Sequence, residues 1–355
     1  MQHKRISAGS HIDLRWLRRI ALLPTRQPPM KERTPWLQRA MGAALLVVGF
    51  AATPALSQKF PTKPVRIVVG FSPGSATDIT ARLIGPKLSE LWGQPVVIEN
   101  RAGAGSTLAS AMVAQATPDG HTLMVVSAAF AITAVLQKNL PYDALRDFRA
   151  VTHLGSTTGA LTVAPSLGAK SVKELIALAQ ERPGKIMYAS TGAGSGIHMS
   201  TERFNMVAGI KPVHVAFKGQ PEMIVEIVTG RVHYGFPGLG SVMAFIKDGR
   251  LLALAVNTPK RSPHLPDVPA LVEIIPGFER DAAHALIAPA RTPRAVIHQI
   301  SRDVARVLEM PDVKERMYAI SFDPAPSTPE EYDRMIRNQM EIFTKVARSA
   351  GLLAK

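Results

Sequence analysis

The chain of 355 residues has no cysteine. That removes disulfides, thiolate metal sites and cysteine nucleophiles together, and it fits either redox compartment. No apolar run reaches the roughly 20 residues a membrane-spanning helix needs. The longest, Ala40 to Ala52, has about thirteen. Familiar enzyme patterns are missing too. Gly103-Ala-Gly105 has Leu108, and Gly192-Ala-Gly194 has Ile197, where a dinucleotide fingerprint needs a third glycine. Gly184-Lys185 runs into Ile186 and makes no phosphate-binding loop. Ser195 is flanked by Ala193 and Ile197 rather than by the glycines of a nucleophile elbow. The histidines at 121, 153, 198, 214, 233, 264, 284 and 298 form no H-E-x-x-H and no carboxylate cluster at metal spacing. No metal or nucleotide cofactor is indicated. Acidic residues are few, 27 against 42 Lys+Arg, yet no dense basic stripe of the kind that holds nucleic acid is present.

What is present is a globular composition, 46% hydrophobic and 19% charged. It is too apolar for a disordered chain and too interrupted for a multi-span membrane protein. The length suits two domains. Residues 1–57 read differently from the rest. Lys31, Arg33 and Arg39 precede the short apolar run, and Thr53-Pro-Ala-Leu-Ser57 follows it. A basic start, a short apolar stretch and an A-x-S ending describe a secretory signal peptide over 30–57, cut between Ser57 and Gln58. Residues 1–29 are then an extension or a mis-assigned start, with Met30 as the alternative start. The leader holds nine Lys+Arg and two Asp+Glu, which leaves 33 and 25, a net +8, for 58–355. That moderate excess suits small anions.

Beyond the leader, short apolar runs alternate with amphipathic segments. Strands are expected at 65–69, 96–98, 122–126, 161–163, 186–189, 213–216, 232–236 and 252–256. Helices are expected at 78–91, 106–116, 171–179, 195–208, 222–229, 242–247, 293–308 and 329–350. The alternation predicts an α/β fold with largely parallel sheets. Ligands in such folds sit beyond the carboxyl ends of strands, at helix N-termini. Three strand-to-helix junctions share one composition: Phe71 to Asp78, Asn100 to Ser106, and Ser190 to His198, each rich in Gly, Ser and Thr. Glycine lets backbone approach a ligand, and the first-turn N–H groups and the helix dipole favour an anion. Charge-assisted bonds of roughly 1.5–3 kcal/mol each would let two such termini reach the ~8 kcal/mol of micromolar dicarboxylate binding. Such junctions are also ordinary turn and cap chemistry. Asp78 has two readings, orienting the loop or a ligand, or capping its helix; His198 is either a site residue or a packed, capping histidine.

The run Phe60-Pro-Thr-Lys-Pro-Val-Arg-Ile-Val-Val-Gly-Phe-Ser-Pro-Gly-Ser-Ala-Thr-Asp-Ile-Thr-Ala-Arg82 resembles the opening of the Bug-type extracytoplasmic solute-binding receptors of tripartite tricarboxylate transporters. Val97 to Gly105, Pro118 to Leu123, Leu140 to Asp143, Tyr188 to His198, His214 to Gly219 and Arg261 to Pro269 match in family order. The resemblance implies a type II periplasmic-binding fold: two α/β lobes around a ligand cleft, with two crossings between them. Lobe I would be 58–157 plus 282–355, and lobe II 158–281. It implies a monomeric periplasmic receptor, not an enzyme, which captures a small carboxylate and delivers it to membrane permease subunits. The ligand-binding residues carried over are Gly74, Ser75, Ala76, Thr77 and Asp78, Ser127 and Ala128, then Ser190, Gly192, Gly194, Ser195, Gly196 and His198, with Lys218 and Gly219 nearby.

The chain departs from the family pattern at Ser75, for a second glycine, and at Phe130, for a polar residue. Ala216-Phe217 replaces Pro-Tyr, and Ala283-His284 replaces Trp-Tyr. Loss of large aromatics enlarges a site or repacks a core; the first reading favours an aromatic or bulky carboxylate over citrate. Two alternatives use the same residues. One is a ligand-sensing module docking on a sensor kinase. The other is a serine hydrolase of Ser195 and His198, for which no carboxylate orienter is evident.

Overall fold

The structure is a computed structural model, and it describes residues 60–276, 278 and 284–353. The expected leader and Ala283 lie outside the described residues. Among those described, no helix is long and apolar enough to cross a membrane.

In chain order the first elements are β1 (Val65–Val69), α1 (Ala76–Trp92), β2 (Val96–Asn100), α2 (Thr107–Ala114), β3 (Thr122–Val126), α3 (Ala128–Leu136) and β4 (Phe148–Thr157). The second set is β5 (Ala160–Val163), α4 (Val172–Glu181), β6 (Met187–Ser190), α5 (Gly196–Ala208), β7 (Val213–Ala216), α6 (Gln220–Val228), β8 (Tyr234–Gly235), α7 (Leu239–Lys247), β9 (Leu252–Val256) and α8 (Leu271–Ile274). The chain closes with β10 (His284–Pro289), α9 (Arg294–Glu309), α10 (Pro311–Ala319), β11 (Phe322–Pro324) and α11 (Pro329–Ser349).

Two sheets result, one per lobe, in the orders β11-β4-β10-β3-β1-β2 and β7-β6-β8-β5-β9. In the first lobe Ile67 and Val69 face Ile84, Leu88, Val304 and Leu308, while Val68 faces Val113, Phe130 and Phe343. Helices therefore cover both faces of this sheet, and β1 and β3 are apolar on both sides rather than alternating. The second lobe repeats the plan. Leu161, Tyr188, Phe204 and Tyr234 pack on one face, and Ala189, Met223, Ile227 and Val242 on the other.

The expectation of largely parallel sheets is corrected. β1 pairs in parallel with β2 and β3, but β10 runs antiparallel to both β3 and β4, and β11 antiparallel to β4. In the second sheet β6 is parallel to β7 and β8, whereas β5 is antiparallel to β8 and β9. For β5 and β10 the cause is the passage of the chain from one sheet to the other. A strand that follows a crossing enters its sheet from the opposite end, so no right-handed helical crossover sets its direction. Each sheet is thus half crossover-built and parallel, half antiparallel.

Phe130 settles one departure. It is 3% exposed and packs between Tyr142 and Phe148, at ring-centroid distances of 6.0 and 5.2 Å. It packs into a core. His284 is buried edge-on to Phe322, 5.1 Å away.

Candidate functional site

The three adjacent parallel strands of each lobe deliver their following loops to one sheet end: residues 70–75, 101–106 and 127 in the first lobe, and 191–195, 217–219 and 236–238 in the second. Two of these loops are built alike. At α1 the N-cap Ser75 accepts from the Asp78 N–H at 3.3 Å, and the Asp78 carboxylate accepts from the Gly74 N–H at 2.9 Å. At α5 the N-cap Ser195 accepts from the His198 N–H at 3.2 Å, and His198 Nδ1 accepts from the Gly194 N–H at 2.9 Å. Each cap serine also donates its own N–H three residues back, Ser75 to Ser72 and Ser195 to Gly192. Gly74 and Gly194 hold φ of 82° and 75°, a left-handed conformation that glycine adopts without steric cost.

This shared motif, Gly-Ser-x-x-Asp in one lobe and Gly-Ser-x-x-His in the other, has one consequence. The third N–H of each helix is consumed by the cap, and the first two, on Ala76 and Thr77 and on Gly196 and Ile197, have no acceptor among the described residues. At α3, Ser127 caps the Ala129 N–H at 3.3 Å and its carbonyl accepts from Phe130, leaving the Ala128 N–H free. Free first-turn donors at the positive end of a helix dipole stabilise an anion.

The side chains of Asp78 and His198 turn inward on their own loops. Asp78, 2% exposed, accepts from Arg82 Nε at 3.0 Å and Asn100 Nδ2 at 2.8 Å besides Gly74. Asn100 Nδ2 also reaches the Phe71 carbonyl at 3.0 Å, and Arg82 donates to Asn100 Oδ1 at 3.0 Å. Burial raises the Asp78 pKa, but the hydrogen bonds from Arg82, Gly74 and Asn100 outweigh it and hold the carboxyl below its ordinary range. The two readings of Asp78 therefore combine: it orients the loop and fixes the mouth of the helix, with its oxygens already engaged. Arg82 and Asn100 were missed as site-forming residues; the signal was the i,i+4 spacing of Arg82 from Asp78.

In the second lobe, Ser190 is buried. It accepts from the Gly192 N–H at 3.1 Å and lies 2.6 Å from His214 Nε2. His214 stacks on His198 with centroids 4.0 Å apart and planes 16° from parallel, and Tyr188 stacks on His214 at 4.9 Å. Glu202 accepts from the Tyr188 hydroxyl and, at 3.2 Å, from Asn205 Nδ2. Burial first, and then the neighbouring His214, push His198 down to about 4, while burial lowers His214 against the opposing pull of Glu202. Both rings are neutral at pH 7. A proton on His198 Nδ1 would remove the acceptor for Gly194. Lys218 and Gly219 follow β7 beside this loop; Lys218 is exposed and its N–H donates to Glu222 at 3.2 Å.

A pH dependence follows. His198 and the buried His284 both sit near 4 in the folded protein, the latter through burial and then His153, against about 6.5 unfolded. The unfolded chain takes up these protons first. Their stability contribution is complete above about 6.5 and is lost as pH falls toward about 4. The thermal midpoint should drop across that window, and His198→Gln should flatten the drop; a midpoint that holds down to pH 4 contradicts it.

The second-lobe loop lies against the first lobe. A Cβ on Gly194 would stand 2.9 Å from Leu136 Cδ1 of α3, and Met199 of α5 is buried among first-lobe residues including Phe130 and Phe343. Four cavities among the described residues are lined by other residues than those expected at the site. The hydrolase alternative finds no support in this geometry. Ser195 Oγ is occupied by a backbone N–H, and His198 Nδ1 by another.

Comparison with known proteins adds to this. A family model described as the tripartite tricarboxylate transporter family receptor matches residues 80–352. Protein BugT of Bordetella pertussis is 31% identical over 322 residues, 90% of this chain and 98% of the relative. Among solved structures, R. palustris Rpa4515 with adipate is 32% identical with a TM-score of 0.67, covering 82% of this chain and 98% of its own. MatC from Rhodopseudomonas palustris with bound malate is 29% identical with a TM-score of 0.62, covering 81% and 99%. These relatives are solute-binding receptors rather than enzymes, and their fold is the two-lobed one built here. With matched helix mouths in both lobes and a family model spanning most of its length, the chain belongs to the tripartite tricarboxylate transporter receptor family.

Proposed function

We propose that the protein is exported, matures at Gln58, and captures a small organic carboxylate between a lobe of 58–157 plus 282–355 and a lobe of 158–281. It then passes the ligand unaltered to the permease subunits of a tripartite tricarboxylate transporter and acts as a monomer. The observation that carries this reading is the repeated cap. Two helices from different lobes each present two uncommitted N–H groups, a pair of donor sets suited to the two ends of a diacid. The ligands of Rpa4515 and MatC, adipate and malate by their descriptions, are both dicarboxylates.

The chemistry suits reversible capture. Neutral amide donors hold an anion without a buried countercharge, so ligand and lobe closure are linked only by contacts made in the closed state. Ser75, Thr77, Ser127 and Ser190 line the same loops with hydroxyls, and His198 serves as the acceptor that shapes the second mouth. The bulky-ligand reading keeps only the departures at Ser75 and Ala216-Phe217, because Phe130 and His284 are both buried in cores.

Calorimetric titration of the purified protein with C4–C6 diacids, citrate and aromatic acids tests the reading. Saturable diacid binding, lost when either carboxylate is replaced by an amide, is expected. Indifference to every carboxylate would overturn it.

A further inference from the structure

A cavity of about 580 Å³ opens on the first lobe at the sheet end opposite the binding loops. The register places it: β3 ends at Val126, paired with Ala285 early in β10, and β10 ends at Pro289, paired with Phe148 where β4 begins. Phe148 and Ile297 line the cavity with Arg146, Arg149, Arg294, Arg334 and Arg337. A second cavity of about 470 Å³ shares Arg146 and Ala290 and adds Arg291. Six arginines from three distant segments thus meet around two contiguous hollows.

Their pairing is incomplete. Arg146 meets Asp147 at 3.0 Å, Arg337 meets Asp333 at 2.8 Å, and His298 meets Glu330 at 3.3 Å. Arg149 and Arg294 have no ion pair with any described residue. Arg294 also opens α9, whose first turn has no acidic residue and whose N-cap Pro293 supplies no side-chain acceptor. A cation there is opposed by the helix dipole. Neither the folding of α9 nor local pairing accounts for the cluster; an arriving anion satisfies both the guanidinium groups and the uncapped turn. The cations are all arginine, whose planar fork engages carboxylates in pairs.

We propose that this outer end of the first lobe is a docking surface for a carboxylate-rich segment of a protein partner. The surface favours an extended segment over a free small anion: the hollows are contiguous and the Arg146 side chain is 77% exposed, so nothing encloses a compact ligand. The inference rests on the reading of the chain as a receptor that delivers to a partner, and it places docking far from the cleft.

The test uses the purified protein and a fluorescent peptide of alternating Glu and Gly, with its Gln counterpart as control. Arg149→Gln, Arg294→Gln and Arg334→Gln are combined in one variant. Lys170→Gln, Lys173→Gln and Lys185→Gln, exposed on the second lobe, make a charge-matched control. The arginine variant should bind the Glu peptide about tenfold more weakly, and the lysine variant within about twofold of wild type, as close charge pairs contribute and a remote field does not. Equal losses in both variants, equal binding of the Gln peptide, or no binding of the Glu peptide overturns the proposal. So does loss, in the arginine variant, of binding to phosphatidylglycerol vesicles or inorganic phosphate with peptide binding unchanged. Diacid titration of the same variants separates this result from the capture reading, because the cleft loops contain none of these residues.

Discussion

Replacing Asp78 with Ala is expected to weaken carboxylate binding about tenfold or more, by releasing a loop that the carboxylate holds in its binding shape. The side chain gathers the Gly74 N–H, Arg82 and Asn100 around one buried point. Removing it leaves the Gly74 N–H and the Asn100 amide without their carboxylate acceptor while Arg82 turns to solvent. The Arg82 side chain is 51% exposed, so screening discounts the ion pair itself. The cost is set by the lost charge-assisted hydrogen bonds, about 1.5–3 kcal/mol, or roughly 3–10 °C in thermal midpoint. Asp78→Asn should behave almost as badly, since an amide presents a donor toward Arg82 and Asn100. The control is Val304→Ala, a fully buried first-lobe core position. It should cost comparable stability through its cavity yet leave affinity intact. An Asp78→Ala protein that is destabilised but binds diacid like wild type would remove the first-lobe loop from the site.

Gly194→Val is expected to shift the protein toward an open form and lower affinity roughly tenfold or more, for two separable reasons. A β-branched residue at φ 75° is strained in any state of the lobes. Its Cβ would also stand 2.9 Å from Leu136 Cδ1, a clash that exists only while α3 and the second-lobe loop are together. Gly184→Val provides the comparison: its φ is 73° and a Cβ there meets nothing within 4 Å, so it carries strain alone. Small-angle scattering with saturating diacid should show a larger radius for the Gly194 variant than for the Gly184 variant. Leu136→Ala, added to Gly194→Val, should recover part of the lost affinity. Equal behaviour of the two glycine variants, with no recovery, would mean that the contact with Leu136 has no part in closure.

Much of the fold was legible because it is encoded locally. Val65–Val69, Thr122–Val126 and Leu252–Val256 read as strands from short β-branched or aliphatic runs, and they are strands. The Gly-Ser-rich junctions read as helix mouths because a cap is a contact between residues three or four apart. The helix at 128–136 was missed: Ala-Ala-Phe-Ala-Ile-Thr-Ala-Val-Leu is apolar nearly all round, so it has no polar face to reveal a period. β4 and β10 were missed for a different reason. Their partners lie more than a hundred residues apart in the chain, and their polar members, such as His153 and Thr152, are buried against the returning segment at 325–327.

By itself, then, the sequence determined the alternation of strands and helices, the loops that cap α1 and α5, and the resemblance to carboxylate receptors. Each depends on torsions and hydrogen bonds within a few residues, or on motifs in fixed order. Only the tertiary structure decided that the sheets are mixed, that Phe130 belongs to a core, and that His214 reaches Ser190. It alone decided that Arg146, Arg149, Arg291, Arg294, Arg334 and Arg337 share one surface. Those outcomes depend on which distant segments exclude water from one another, and burial of that kind leaves no periodic trace along the chain.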